Sequence, residues 1–142
     1  MVSVYYEDLK VGQTATIEKT VTDEDIQAFG RATGDMNPVH FDEAYAQKTV
    51  FKGRVAHGVL SIGFISAVLG MKLPGEGTIF VSAKVEFKAP VRIGDTVVTT
   101  ATIKEIGERR RVTVDCLCTI NGTPVVVGEA LVLAPKRPTP TE

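Results

Sequence analysis

The sequence predicts an α+β fold in one domain, with an antiparallel sheet wrapped around a central buried helix. Three observations support this prediction. The chain has 142 residues, which is the usual length of a single domain. Its second half contains four stretches rich in Val, Ile and Thr, residues that favour strands. Residues 58–70 carry no charge and are apolar on nearly every face, as expected of a buried helix.

The first half of the chain predicts one short strand followed by one helix. The strand is expected near Thr14–Thr20. Thr22 can cap the helix and Asp25 can complete a capping box with it. The helix should run to about Ala32, because Gly34 is the kind of residue that ends helices.

The second half predicts four more strands joined by short loops. Asn121-Gly122 suits a two-residue turn in which both residues have positive φ, and Gly94-Asp95 and Gly107-Glu108 mark the earlier connections. Because the loops are short, we expect neighbouring strands to pair in order as an antiparallel meander. The strands are expected at Thr78–Phe87, Thr96–Ile106, Val112–Ile120 and Pro124–Leu133.

The uncharged segment 58–70 predicts a helix that is buried on all sides. Gly63, Ser66 and Ala67 would let a sheet approach it closely. That arrangement, a sheet curled around a central helix, is the hot-dog fold. An α+β sandwich with one covered helix fits the same pattern.

Composition and charge exclude several classes of protein. Apolar residues make up 44% and charged residues 23%, so neither a disordered nor a membrane class is favoured. The net charge of -1 provides no field for nucleic acid. The basic run Arg109–Arg111 is interpreted as a solvated hairpin corner. With neither a secretory signal pattern nor an apolar run of the ~20 residues that cross a bilayer, we expect a cytoplasmic protein with no membrane partner.

The domain is expected to cover residues 1–134, with a flexible tail at 135–142 in which three prolines discourage regular structure. Cys116 and Cys118 alternate along a predicted strand, so both should be buried thiols on one face. A metal site is not expected, because His40 and His57 are the only histidines and no zinc-ligand spacing is present.

The segment Gly34-Asp35-Met36-Asn37-Pro38-Val39-His40 is the first candidate for chemistry. A carboxylate and an imidazole five residues apart, with a rigid proline between them, suit proton transfer to and from a water molecule. Asn37 can support the turn through hydrogen bonds. A purely structural interpretation remains open, in which Asp35 forms an Asx turn that caps the following helix and His40 fills space.

The second candidate is Ala56-His57-Gly58, at the start of the apolar helix. The first N–H groups of a helix have no intrahelical partner, and they favour negative charge on a nearby oxygen. Gly58 has no side chain to block close approach, so its amide could stabilise an oxyanion. Gly58 serving only for close packing is the alternative.

At these residues the chain resembles the MaoC-like family of (R)-specific enoyl-CoA hydratases. The resemblance rests on Gly34-Asp-Met-Asn-Pro-Val-His40 and on Arg54-Val-Ala-His-Gly58. It implies a single hot-dog domain that adds water reversibly to a trans-2-enoyl thioester and forms an (R)-3-hydroxyacyl thioester. It implies a homodimer and no cofactor, since coenzyme A is part of the substrate.

The same resemblance implies roles for individual residues. Asp35 and His40 would be the catalytic pair, the Gly58 amide the oxyanion donor, and Asn37 and Ser66 supporting residues. Weaker expectations concern substrate binding. Lys52, Arg54 and Lys88 are expected to contact the phosphates of coenzyme A, and two residues at and within the apolar helix are expected to contact the substrate. These residues are Lys52, Arg54, His57, Leu69 and Lys88.

Three other functions remain open. A hot-dog thioesterase would attack the thioester carbonyl rather than the double bond, although it has less use for a paired Asp and His. A 3-hydroxyacyl-acyl-carrier-protein dehydratase would keep the chemistry and change the carrier. A binding module would keep the pocket without turnover, although loss of Asp35 or His40 would then be expected.

Overall fold

The computed structural model describes residues 3–139 and shows a five-stranded antiparallel sheet packed on one long helix. The helix, α3, contacts four of the five strands, which is the hot-dog arrangement. The strands are β1 (Thr14–Thr20), β2 (Ile79–Phe87), β3 (Thr96–Ile106), β4 (Arg111–Ile120) and β5 (Thr123–Leu133). The helices are α1 (Asp23–Thr33), α2 (Glu43–Gln47) and α3 (Gly58–Met71), with 3-10 helices at Tyr6–Asp8 and Pro38–His40.

Helix α1 begins and ends where its local sequence predicts. The Thr22 hydroxyl accepts a hydrogen bond from the Asp25 amide at 3.2 Å, and the Asp25 carboxylate accepts one from the Thr22 amide at 2.9 Å. This capping box satisfies amides that have no intrahelical partner. Gly34 ends the helix with a φ of 80°, in the left-handed region that glycine adopts without strain.

The strand order is β1-β3-β4-β5-β2, which confirms part of the predicted meander and corrects the rest. Strands β3, β4 and β5 pair in sequence, and Asn121 and Gly122 have the positive φ values expected of the last turn. The predicted pairing of β2 with β3 is wrong, because β2 pairs with β5. Residues 88–95 carry the chain away from β2, and the Ala56 amide donates to the Val91 carbonyl at 2.7 Å.

The core lies between the inner face of the sheet and one side of α3. Alternate residues of β3 and β4 point inward, including Cys116 and Cys118. Both cysteines are free and buried, as predicted, and burial raises the pKa of the Cys116 thiol to about 12. Cys116 therefore remains a neutral thiol that serves packing.

Helix α3 is not buried on all sides in the single chain. Ile65, Val68 and Leu69 face the core, whereas Val59 and Met71 are each 54% exposed. The reason is that one five-stranded sheet covers only one side of a helix. An uncharged helix with one apolar side left in solvent is unusual in a protein that acts as a monomer.

Three smaller features complete the description. Helix α2 is not predicted, although Asp42 caps it by accepting from the Tyr45 amide at 3.0 Å. The basic run forms the turn between β3 and β4, as interpreted, with Arg109 and Arg110 at positive φ. Among the helices of residues 3–139, none combines the length and apolar character needed to cross a bilayer.

The predicted flexible tail lies partly outside the described residues, which end at 139. Residues 135–139 form neither helix nor strand. Arg137 nevertheless forms an ion pair with Asp8, and its amide donates to the Glu7 carboxylate at 3.0 Å. The start of this segment is therefore tied to the 3-10 helix at Tyr6–Asp8, and flexibility remains a prediction for 140–142.

Candidate active site

The loop that carries Asp35 is a succession of side chain–backbone turns. The Asp35 carboxylate accepts a hydrogen bond from the Asn37 amide at 3.3 Å, and Asn37 accepts one from the Val39 amide at 3.3 Å. Pro38 then starts the 3-10 helix that ends at His40. The Asx turn of the structural interpretation is therefore present, but Asn37, not Asp35, caps the following helix.

His40 is held in one tautomer by a backbone carbonyl. Its Nδ1 lies 2.8 Å from the Val55 carbonyl oxygen. Because a carbonyl only accepts, Nδ1 carries the proton and Nε2 carries a lone pair. Burial lowers the pKa of His40 and nearby His57 adds to this, whereas the Val55 hydrogen bond and Asp35 oppose it. The imidazole is therefore neutral at neutral pH and able to accept a proton at Nε2.

His57 links the two candidate segments. Its Nε2 donates to the Asp35 carbonyl oxygen at 2.9 Å, and its ring stacks on that of His40 with centroids 3.8 Å apart. Phe29 packs on His57 at 4.5 Å, and only 2% of His57 is exposed. His57 therefore positions Asp35 and His40, whereas the sequence predicts a substrate contact. No local signal could have revealed this role, since Asp35 is 22 residues away.

Asp35, His40 and His57 come together as a compact group. One side-chain donor atom from each of the three lies within 4.8 Å of the other two. The group is of a kind that could hold a metal ion, although the sequence predicts none. Each imidazole uses one nitrogen on a carbonyl, and the rings are stacked, which is a poor arrangement for lone pairs to converge on one ion.

A cavity of about 380 Å³ opens beside His40. Gly58, the first residue of α3, lies on its wall, and His57 at the N-cap provides no side-chain hydrogen bond to the helix. The first amides of α3 therefore have no side-chain cap, and the first of these residues lies on the cavity wall. The cavity is lined by Asn37, Val39, His40, Phe51, Val55, Ala56, Gly58, Ser61, Phe87, Lys88, Ala89, Pro90, Val91 and Val126.

Phe87, at the end of β2, covers Gly58. A Cβ atom at position 58 would lie 3.1 Å from the ring of Phe87, closer than most side-chain contacts. About half of Phe87 is exposed, so the ring is free to shift. A side chain at position 58 would therefore displace the Phe87 ring by a few tenths of an ångström.

Two of the predicted supporting and cationic residues line the cavity, namely Asn37 and Lys88. Lys88 also pairs with Glu86. Lys52 is exposed and does not line it. Leu69, predicted to contact substrate, is 1% exposed and packs in the core instead.

Arg54 does not project toward the cavity as a free cation. Its Nε donates to the His40 carbonyl oxygen at 2.7 Å, and its Nη2 donates to Asp23 at 2.6 Å. Its amide donates to the Glu43 carboxylate at 3.1 Å. These contacts argue against the predicted phosphate contact, because the guanidinium bonds to the His40 carbonyl and to Asp23.

Ser66 does not join the group either. Its side chain is exposed, whereas Ser61 is 2% exposed and lines the cavity. The two serines are five residues apart, which at 3.6 residues per turn places them on different faces of α3. Sequence reasoning missed Ser61; its signal was a hydroxyl at three residues from Gly58 in an otherwise apolar helix.

Comparisons with known proteins agree with this geometry. The model of the MaoC-like domain matches residues 8–119. An (R)-specific enoyl-CoA hydratase of Rhodospirillum rubrum is 52% identical over 94% of this chain and 93% of its own length. A 3-hydroxybutyryl-CoA dehydratase of Methylorubrum extorquens is 45% identical over 94% of this chain and 86% of its own. The unliganded structure of an R-hydratase from Pseudomonas aeruginosa superposes with a TM-score of 0.90 at 38% identity, covering 99% of this chain and 93% of that one.

Proposed function

The chain belongs to the MaoC-like domain family, and on that premise we propose that it catalyses the reversible (R)-specific hydration of trans-2-enoyl-CoA to (R)-3-hydroxyacyl-CoA. The observation that supports this most is the neutral imidazole of His40, which lines the cavity and has a free Nε2 close to the Asp35 carboxylate. The uncapped start of α3, at Gly58, lies on the wall of the same cavity. Hydration needs a base for water and a hydrogen-bond donor for the thioester oxygen. His40 with Asp35 would supply the base, and the start of α3 at Gly58 would supply the donor.

The proton steps follow from the tautomer of His40. A water molecule between Asp35 and His40 gives one proton to Nε2 as its oxygen attacks carbon 3. The electron pair of the double bond moves through carbon 2 onto the thioester oxygen. The imidazolium then returns the proton to carbon 2, which restores the thioester. The Asp35 carboxylate accepts a hydrogen bond from the other water proton and favours the cationic form of His40 during transfer.

The thioester oxygen needs stabilisation while it carries negative charge. Gly58 lies on the cavity wall, and its amide is at the positive end of a 14-residue helix. A preorganised donor at this point lowers the barrier without a catalytic side chain. We assign no cofactor to these steps, and coenzyme A enters only as the substrate's carrier. Lys88 is the cation we propose to meet the carrier's phosphates.

We further propose that the chain acts as a homodimer. Strand β2 is an edge strand with an unpaired outer side, and Ile79, Val81 and Phe87 on it are each 46–52% exposed. The exposed side of α3 is a second apolar surface that a partner chain would cover. A cytoplasmic location and a place in fatty-acid metabolism are proposals that rest on the sequence and the relatives.

The test is to mix the purified protein with crotonyl-CoA and follow the absorbance of the enoyl thioester, with a thiol reagent in a parallel sample. We expect the band to disappear without release of free thiol, and chiral analysis of the product to give the (R) isomer. Asp35→Asn, which keeps the shape and removes the charge, should lower kcat at least about 100-fold while the far-UV circular dichroism spectrum stays the same.

The other outcomes distinguish the competing functions. Release of free thiol would identify a thioesterase. Activity only on acyl-carrier-protein thioesters would change the carrier and keep the chemistry. If both the parent protein and Asp35→Asn bind crotonyl-CoA without loss of the enoyl-thioester absorbance, the protein would be a binding module without turnover.

A further inference from the structure

Ser61 is a buried polar residue whose hydroxyl has no partner in the described part of the chain. Only 2% of it is exposed, and it lines the same cavity as Gly58 and His40. Thr33 and Thr49, in contrast, each bond a carbonyl of their own helix or turn. The Ser61 oxygen, unlike the enclosed and unpaired Thr78 Oγ1, is not sealed off from the cavity that the residue lines, so it can bond to a molecule that fills this cavity.

The position of Ser61 on α3 decides which part of a substrate it meets. Ser61 follows Gly58 by three residues, so both lie on the same face of the helix. Side chains on a helix tilt toward its N-terminus, which directs the Ser61 hydroxyl toward the Gly58 amide. An oxygen that accepts from the Gly58 amide is therefore within the reach of this hydroxyl.

We propose that Ser61 is a further catalytic residue, whose hydroxyl donates to the thioester carbonyl oxygen beside the Gly58 amide. The inference deepens the proposed hydration and rests on it. Two donors hold an oxyanion in a fixed place, whereas one amide leaves the carbonyl free to rotate about that bond. The hydroxyl retains its proton throughout.

The first experiment compares Ser61→Ala with the parent protein in crotonyl-CoA hydration. We expect kcat to fall about 10- to 100-fold with KM changed less than about threefold, as for loss of a transition-state donor. The melting temperature should stay the same or rise, because the Ser61 hydroxyl makes no hydrogen bond within residues 3–139 and alanine favours helix. Ser3→Ala is the matched control, since Ser3 bonds the Glu76 carbonyl away from the cavity.

Ser61→Cys gives a second measure at nearly the same side-chain volume. A thiol is a weak donor, so its kcat should lie near that of Ser61→Ala. If both variants keep the kcat of the parent protein, the proposal is wrong. A rise in KM with kcat unchanged would also overturn it, because Ser61 would then bind the substrate equally before and during reaction.

Carbonyl polarisation provides a readout that does not need turnover. Crotonyl-CoA labelled with ¹³C at the carbonyl would be bound to Asp35→Asn and to Asp35→Asn with Ser61→Ala. Hydrogen-bond donors polarise the carbonyl and move its resonance downfield, so we expect a smaller downfield shift in the double variant. An equal shift in the two proteins would overturn the inference. If the parent protein fails to hydrate crotonyl-CoA, the proposed function fails, while this comparison still decides the role of Ser61.

Discussion

His40 is prepared for its role by contacts at two different atoms. The Val55 carbonyl accepts from Nδ1, and burial together with His57 lowers the pKa of the ring. Both effects favour a neutral imidazole whose Nε2 is free. Asp35 acts on the pKa of His40 in the opposite direction, because its charge would stabilise the imidazolium once a proton has been taken from water.

The lowered pKa of His40 predicts how stability depends on pH. As the pH falls through the ordinary value of 6.5, the unfolded chain binds a proton that folded His40 does not, so the free energy of unfolding should fall. The loss should level off below the lowered folded pKa. Urea unfolding at about pH 7.5 and about pH 5.5 checks this, with His40→Gln as control. An equal change in the parent protein and the variant would contradict the prediction.

Arg54 is predicted to act on His40 rather than on the substrate. The Arg54 Nε donates to the His40 carbonyl, and the adjacent Val55 carbonyl accepts from His40 Nδ1. Residues 54 and 55 therefore fix both the backbone and the side chain of His40. Arg54→Met should therefore lower kcat by roughly tenfold with little change in KM. Lys88→Met should instead raise KM for crotonyl-CoA. Steady-state kinetics distinguish the two effects, and a rise in KM alone for Arg54→Met would restore a phosphate contact.

A control for this experiment is available at the other end of the chain. Arg137 also forms an ion pair through its Nη2, with Asp8, and lies in the segment after β5. Arg137→Met removes a guanidinium of the same kind without touching His40. We expect its kcat and KM to match those of the parent protein.

At the scale of elements, Gly58 connects the packing of α3 with its chemistry. A β-branched side chain at this position would meet the Phe87 ring, which is half exposed and able to move aside. Gly58→Val should therefore lower kcat/KM about 100-fold or more, while thermal unfolding changes by only a few degrees. Gly107→Ala is the control, because a Cβ there also makes one tight contact, 3.3 Å from the Arg111 carbonyl oxygen. A large loss of stability in Gly58→Val alone would assign Gly58 to packing.

Elements whose signals are local could be predicted from the sequence, and those that depend on distant residues could not. The capping box at Thr22 and the Asn121-Gly122 turn each involve residues within three positions. The pairing of β2 with β5 depends on the path of residues 88–95, which no local pattern specifies. The exposed side of α3 could not be predicted, because hydropathy indicates that a helix avoids water but does not indicate which residues cover each of its sides.

The candidate site shows the same division. Asp35 and His40 are brought together by a turn of six residues with a proline inside it, so their proximity could be predicted. The bonds of His40 to Val55 and of His57 to Asp35 join segments that meet only in the fold. The bonds of Arg54 to His40 and Asp23 could not be predicted for the same reason, because its partners are 14 and 31 residues away.

At the scale of the whole molecule, two apolar surfaces have no partner within residues 3–139. One is the outer side of β2 and the other is the exposed side of α3. A second copy that adds its own β2 would extend the sheet across the two chains and cover both edges. The loop at Asp35 is also exposed, so a partner nearby would help exclude bulk water from the site.

Val81 offers the sharpest test of this assembly. It lies at the bulge of β2, is 46% exposed, and has no register partner on β5. Sedimentation equilibrium of the parent protein should give twice the mass of one chain, and Val81→Lys should shift the equilibrium toward the single chain, because a lysine charge would be buried between the edges. Val11→Lys is the control, since Val11 is 66% exposed and lies outside β2 and α3. If the parent protein sediments as one chain at working concentration, the dimer is wrong; if Val81→Lys remains dimeric, the chains associate through another surface.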